Sequence, residues 1–139
     1  MAKRSTHKAR EFEESIIRHA RKLHNLDPEI RIVAGARFGE NHKSCKTNIP
    51  YRTEKEIEKC FDKRIKTRLK KIGKLGEIPQ RGGHRLGNCA EQNACNEILK
   101  ECPKISIKQI KYSLAYRPRT VEVCPYCLNC IEVLGVKNR

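Results

Sequence analysis

The segment Val-Cys-Pro-Tyr-Cys-Leu-Asn-Cys, residues 123–130, packs Cys124, Cys127 and Cys130 together, and Cys89 stands in Gly-Asn-Cys-Ala-Glu at residues 87–91. Cysteines at C-x-x-C spacing in a chain without a secretory leader point to metal or redox chemistry. A disulfide framework is the competing use of eight cysteines. Such frameworks belong to small secreted domains too thin to build a core. This chain has 139 residues, enough for one domain with a real core. Its first residues, MAKRSTHKAREFEES, hold no apolar h-region of a signal peptide. No apolar run approaches the ~20 residues of a membrane span. The sequence reads as one soluble domain over residues 1–139, with residues 1–8 expected as a disordered basic tail.

Hydrophobic periodicity orders the rest. Phe12, Ile16, Ala20 and Leu23 share one stripe, predicting a helix over 9–25 that Asp27-Pro28 ends. Residues 30–38 read as a strand, 39–42 as a turn and 44–51 as a weaker second strand, together a hairpin. Ile57, Phe61, Ile65, Leu69 and Ile72 predict a single helix over 54–72, with Lys and Arg on its other faces. Gly73, Gly76, Pro79, Gly82 and Gly83 make 73–87 a loop. Asn88 suits the N-cap of a helix over 89–100, which Cys102-Pro103 stops. Ile110, Tyr112, Leu114 and Tyr116 alternate along one side of a strand over 108–116. A short helix over about 125–134 starts inside the cysteine cluster. The order predicts an α/β architecture: a small mixed sheet, hairpin plus one or more further strands, covered by helices.

Two of these helices begin at cysteine, which lets two metal half-sites meet at one sheet edge. Cys89 with two thiolates of the second cluster makes three zinc ligands and leaves a fourth position for water, as a catalytic zinc requires. Zinc brings that water's pKa towards 7. Glu91, on the first helical turn, can aim its carboxylate there as general acid and base. Two registers are open, Cys124 with Cys127 or Cys127 with Cys130. Packing favours the first, because Cys130, Ile131 and Leu134 then form the core face of the last helix. A closed structural site of Cys89, Cys124, Cys127 and Cys130 is the alternative, and it leaves Glu91 without a role. Cys45, Cys60, Cys95 and Cys102 read as small packing groups.

GNCAEQNAC followed by VCPYCLNC resembles the zinc-dependent nucleoside and nucleic-acid deaminase superfamily, whose signature is His-or-Cys-x-Glu and then Pro-Cys-x-x-Cys. The Cys-Ala-Glu variant with a C-P-x-C second motif is most similar to the YwqJ-like bacterial toxin deaminases. The likeness covers residues 84–134. It implies a cytidine-deaminase-like fold, one catalytic zinc held by Cys89, Cys124 and Cys127, and Glu91 as proton shuttle. The chain departs from the pattern in three ways. Pro125 follows the first cysteine of the pair, little sequence follows Cys130, and residues 54–87 insert a basic helix and a glycine-rich loop before Cys-Ala-Glu.

Lys and Arg number 31 against 16 Asp and Glu, a net charge of +15. A free nucleoside gives no reason for such charge, whereas a polynucleotide does, through counterion release. Lys59 to Lys74 is densely basic, and Arg81 and Arg85 follow; a charge run on a helix also reads as a solvated face. His84, Arg85 and Tyr126 are the expected substrate contacts. The expected reaction is conversion of cytosine to uracil, in single-stranded DNA first and RNA next, since a target base must lie outside the stack. The alternatives are deamination of free cytidine, deamination of adenine in nucleic acid, and a non-catalytic, basic, zinc-stabilised nucleic-acid-binding module. The toxin likeness further implies a domain of a larger secreted polymorphic toxin, acting in the target-cell cytoplasm after delivery. Its implied partner is an acidic immunity protein; no membrane is implied.

Overall fold

The computed structural model describes residues 2–23, 29–50, 52–80 and 82–137, and of residues 2–7 the backbone alone. Its elements run α1 (Ala2–Lys22), β1 (Val33–Phe38), β2 (His42–Thr47), α2 (Glu54–Cys60), α3 (Lys63–Lys70), α4 (Ala90–Glu101), a 3-10 turn (Ile107–Gln109), β3 (Lys111–Tyr112), β4 (Ala115–Tyr116), β5 (Val123–Cys124) and α5 (Leu128–Leu134). This is a mixed α/β arrangement of five α-helices and an open antiparallel sheet. The expected helix stop at Asp27-Pro28, the strand end at Tyr51 and the cation Arg81 lie outside the described residues. Among the described residues, no helix is long and apolar enough to cross a membrane.

The helix expected from residue 9 starts at Ala2 instead, within the stretch expected as a disordered tail. No glycine or proline interrupts residues 2–22, so nothing in the backbone stops the helix from running back.

The sheet order is β2-β1-β4-β5, with β3 also on β1. β1 and β2 pair from Val33↔Thr47 to Phe38↔His42, closing at Gly39, which takes a left-handed φ of 62°. Alternation along β1 divides the molecule. Ala34 and Ala36 face a core built with α2 to α5, around Ile57, Ile65, Leu69, Ile98 and Leu99. Val33 faces a second core with Phe12, Ile16, Ala20 and Tyr116, which seats α1. Gly35 lies on that side too: a Cβ there would stand 2.4 Å from Ile16 Cδ1 and 2.8 Å from Phe12 Cζ. Only a bare backbone lets α1 approach so closely.

Two expected elements are broken. The helix expected over 54–72 is two helices, because Phe61 is extended and Asp62 starts again as the N-cap of α3, accepting from Arg64 N–H. Buried Asn96 of α4 fills the gap: its Oδ1 accepts from Asp62 N–H at 2.7 Å and its Nδ2 donates to Cys60 O at 3.0 Å. The apolar spacing survives, and Ile57, Phe61, Ile65 and Leu69 are all buried.

The strand expected over 108–116 is a 3-10 turn and two short strands. Ala36 pairs with Tyr112 but Val33 pairs with Tyr116, so the second strand carries one extra residue, a bulge at Ser113-Leu114. Buried Ser113 repairs the ladder, its Oγ accepting from Gly35 N–H at 2.8 Å and its N–H donating to Gly35 O at 3.0 Å. The extra residue reverses the face. Tyr112 packs against the larger core and Tyr116 against α1, not on one side as simple alternation predicts.

Candidate metal centre

Cys89 and Cys127 are the N-caps of α4 and α5, both extended and neither using its side chain as a cap. The thiols are therefore available to each other, and Cys89 Sγ lies 3.6 Å from Cys127 Sγ. Asn88, expected as the N-cap, sits one residue before it. His84 completes the group, with Nδ1 3.7 Å from Cys89 Sγ, and the ligand atoms of His84, Cys89 and Cys127 all lie within 4.8 Å of one another. Cys130 lies one turn into α5, fully buried and outside this close group, and its sulfur accepts from Gln92 Nε2 at 3.4 Å.

These spacings suit one ion. Ligands of a tetrahedral zinc at ordinary bond lengths are about 3.8 Å apart for two thiolates and about 3.6 Å for thiolate and imidazole. Thiolate and imidazole donors are those zinc takes. The set His84, Cys89 and Cys127 can hold a metal ion. The electrostatics run the same way. Hydrogen bonds from Cys130 and then Cys89, together with His84, hold Cys127 as a thiolate, far below the ordinary thiol range. Sharing protons with that thiolate pushes Cys89 and Cys130 up, and Cys127 likewise raises His84.

Glu91 stands on the first turn of α4, only 4% exposed. Burial pushes its carboxyl up to about 7, with Cys127 adding to the rise and His84 opposing it. It lines a cavity of about 530 Å³ together with His84, Asn88, Cys89, Cys124 and Cys127. Asn88 Oδ1 is buried there with no hydrogen-bond partner among the described residues, which leaves an acceptor for an N–H donor brought in by a ligand. Around Cys130, Gln92 ties helix to loop: Nε2 donates to Cys130 Sγ at 3.4 Å, and Oε1 accepts from Gly87 N–H at 2.7 Å.

No protein-family model, curated protein or solved structure matches this chain.

Of the residues expected at the site, Cys89, Cys127 and Glu91 meet at the cavity. Cys124 lines the same cavity but stands outside the close group, and its thiol donates to Glu122 O at 3.8 Å. His84 faces the thiols as a ligand would, whereas the sequence suggested a substrate contact. Arg85 lines the cavity while its Nη1 donates to Gly76 O at 3.2 Å. Tyr126 turns the other way: Pro125 and Cys127 face the cavity, and in this extended segment the residue between them points into the core. Its hydroxyl donates to Ser113 O at 2.6 Å, so it presents no stacking face to a base.

The basic run of residues 59–74 differs from its expected use. Arg64 donates to Leu99 O, Cys102 O and Ile105 O at the end of α4, and Arg68 to Val133 O of α5. Lys66 and Lys70 close on Glu58. Much of the run ties helices together. Among the described residues, the arginines that line the cavity are instead Arg31, Arg85 and Arg117. Gln92 and Asn129 carried no sequence signal of their own, and Asn88 carried one only as a helix N-cap; helix placement reveals all three.

Proposed function

We propose that this chain is a zinc-dependent hydrolytic deaminase that converts cytosine to uracil in nucleic acid, single-stranded DNA first. The observation that carries this reading is Glu91, a buried acid on the wall of the cavity that also exposes the thiol group. A purely structural metal site has no use for it. Zinc held there supplies Lewis acidity and an activated water at neutral pH. Glu91 takes a proton from the attacking water and delivers protons to N3 of the base and to the departing ammonia, so that cytosine and water become uracil and ammonia. On this reading Asn88 Oδ1, a buried acceptor without a partner among the described residues, takes an N–H from the base. Of the two candidate partners of Cys127, Cys130 is fully buried on the core side of α5 and Cys124 lines the cavity.

Purified protein is incubated with single-stranded DNA, RNA and free cytidine, and uracil is measured. Uracil in a polynucleotide, abolished by Glu91→Gln with zinc content unchanged, is the expected outcome. Zinc bound and no uracil from any of the three substrates overturns it. A second reading, a non-catalytic zinc-stabilised nucleic-acid-binding module, is favoured by one contact: the His84 ring stands beside the Cys89 and Cys127 thiols, where a further protein ligand helps to close a structural site. The toxin context and an acidic immunity partner rest on the motif likeness alone.

A further inference from the structure

The described residues carry four exposed large apolar side chains, Ile49, Ile78, Val123 and Leu128. Scattered singly, such residues need no explanation. These are gathered at one place. Ile78 and Val123, 58% and 53% exposed, line the cavity that holds Glu91 and the thiols. Ile49 lies between the lining residues Asn48 and Pro50, and Leu128 follows the lining residue Cys127. We propose that this apolar mouth seats the base of the nucleotide next to the target cytosine, with the flanking phosphates on Arg85 and Arg117. The inference rests on the nucleic-acid deaminase reading and narrows its substrate to a strand rather than a free nucleoside.

Charge selects this occupant over an apolar peptide. Arg31, Arg85 and Arg117 line the same cavity, and a single strand offers anions alternating with bases whose faces pack on side chains. Arg31 Nη2 lies 3.8 Å from Glu29 and Arg117 Nε 3.6 Å from Glu122. Exposed pairs of this length hold weakly, and a guanidinium has further donors for a phosphate. The volume, about 530 Å³, lies in the range of about 300–1,000 Å³ that takes a drug-sized ligand, more than one pyrimidine ring fills. The wall that carries Val123 is held in shape. Between β4 and β5, Arg119 and Val121 take φ of 68° and 53°, values a β-branched residue rarely adopts. Such strain persists only where the surroundings impose it. Here Arg119 N–H donates to Ala20 O of α1 and Arg117 N–H to Glu122 O, each at 2.8 Å, while Val121 packs on the second core. Arg117 and Val123 therefore reach the cavity from a fixed turn, and a preformed face lowers the ordering cost of binding.

The test is a coupling measurement by fluorescence anisotropy. A labelled single-stranded oligonucleotide with one central cytosine is compared with the same strand carrying abasic sites on both sides of it. Wild-type protein is expected to bind the abasic strand about 5-fold more weakly. The double variant Ile78→Ser with Val123→Ser, changed only at exposed positions, is expected to bind the intact strand about 5-fold more weakly and to treat both strands alike. Losses that simply add overturn the base seat and leave the mouth to a protein partner. Abasic flanks that cost wild type nothing overturn it as well. Uracil assays separate the two claims. Coupling without uracil from any substrate overturns the deaminase reading and leaves the seat as a strand-binding site. Uracil formed without coupling overturns the seat alone.

Discussion

Cys127 is the N-cap of α5 and meets Cys89, the N-cap of α4, while Cys130 lies one turn on, where the Cys127 and Cys89 thiols both push its own thiol up. Cys124 ends a strand and bonds to a backbone carbonyl. We therefore expect Cys130→Ser to weaken zinc binding at least about 10-fold, a loss of the size that disturbing a metal shell brings. Cys124→Ser should leave affinity within about 2-fold. Chelator competition measures both, and the reverse ranking would return the second half-site to Cys124 with Cys127. This choice was closed to the sequence because C-x-x-C occurs twice in overlapping registers. Cys89, Glu91 and Cys127 were legible, since a helix start fixes where its first turn points. The place of His84 was not, because it depends on a glycine loop folding back across α5. Nor was the inward turn of Tyr126, which follows from the bond its hydroxyl makes to the bulged strand.

The junction between α2 and α3 shows what periodicity hides. A spacing of four is kept through the break, so the apolar pattern alone reads as one helix; Asp62 and its partner Asn96 make it two. Asp62 caps α3 and meets Arg64 side on, Oδ1 at 2.8 Å from Nε and Oδ2 at 2.9 Å from Nη2. The hydrogen bonds from Arg64 hold the Asp62 carboxyl below its ordinary value. A carboxylate lowered on folding stabilises the fold above its unfolded pKa, near 3.9, and that contribution vanishes as pH falls through the lower folded value. Asp62→Ala should thus lower stability at neutral pH by about 1–2 kcal/mol, through lost cap and pair. The gap between variant and wild type should shrink towards acid, as denaturant melts at pH 7 and pH 3 would show. A gap that stayed constant would remove the charge from this account. The hairpin, α4 and α5 were legible to within a few residues, because each has its own apolar face or turn residues. The bulge at Ser113-Leu114 was not, since nothing local marks an inserted residue that a buried serine makes good.

A net charge of +15 pointed from the sequence to a polyanion as an expectation, but not to which cations stand at the cavity. Arg64 and Arg68 hold helix ends, while Arg31, Arg85 and Arg117 line the cavity. Neutralising one single-strand phosphate with each of those three arginines corresponds to a slope of about −2 in log K against log salt. Replacing all three with alanine should flatten that slope, measured by fluorescence anisotropy on a labelled oligonucleotide. A slope that instead disappears with Lys63→Ala and Lys71→Ala would move the polyanion to α3. The bulged strand adds one more consequence. Gly35 meets Ser113 on both its N–H and its carbonyl, Leu114 N–H donates to Glu13 of α1, and Tyr126 beside Cys127 donates to Ser113 O. The seating of the first helix and the aim of the loop that carries Cys127 therefore meet at a single dipeptide. Damage at either end is felt at the other, and a truncation that spared every residue of the cavity would still reach it.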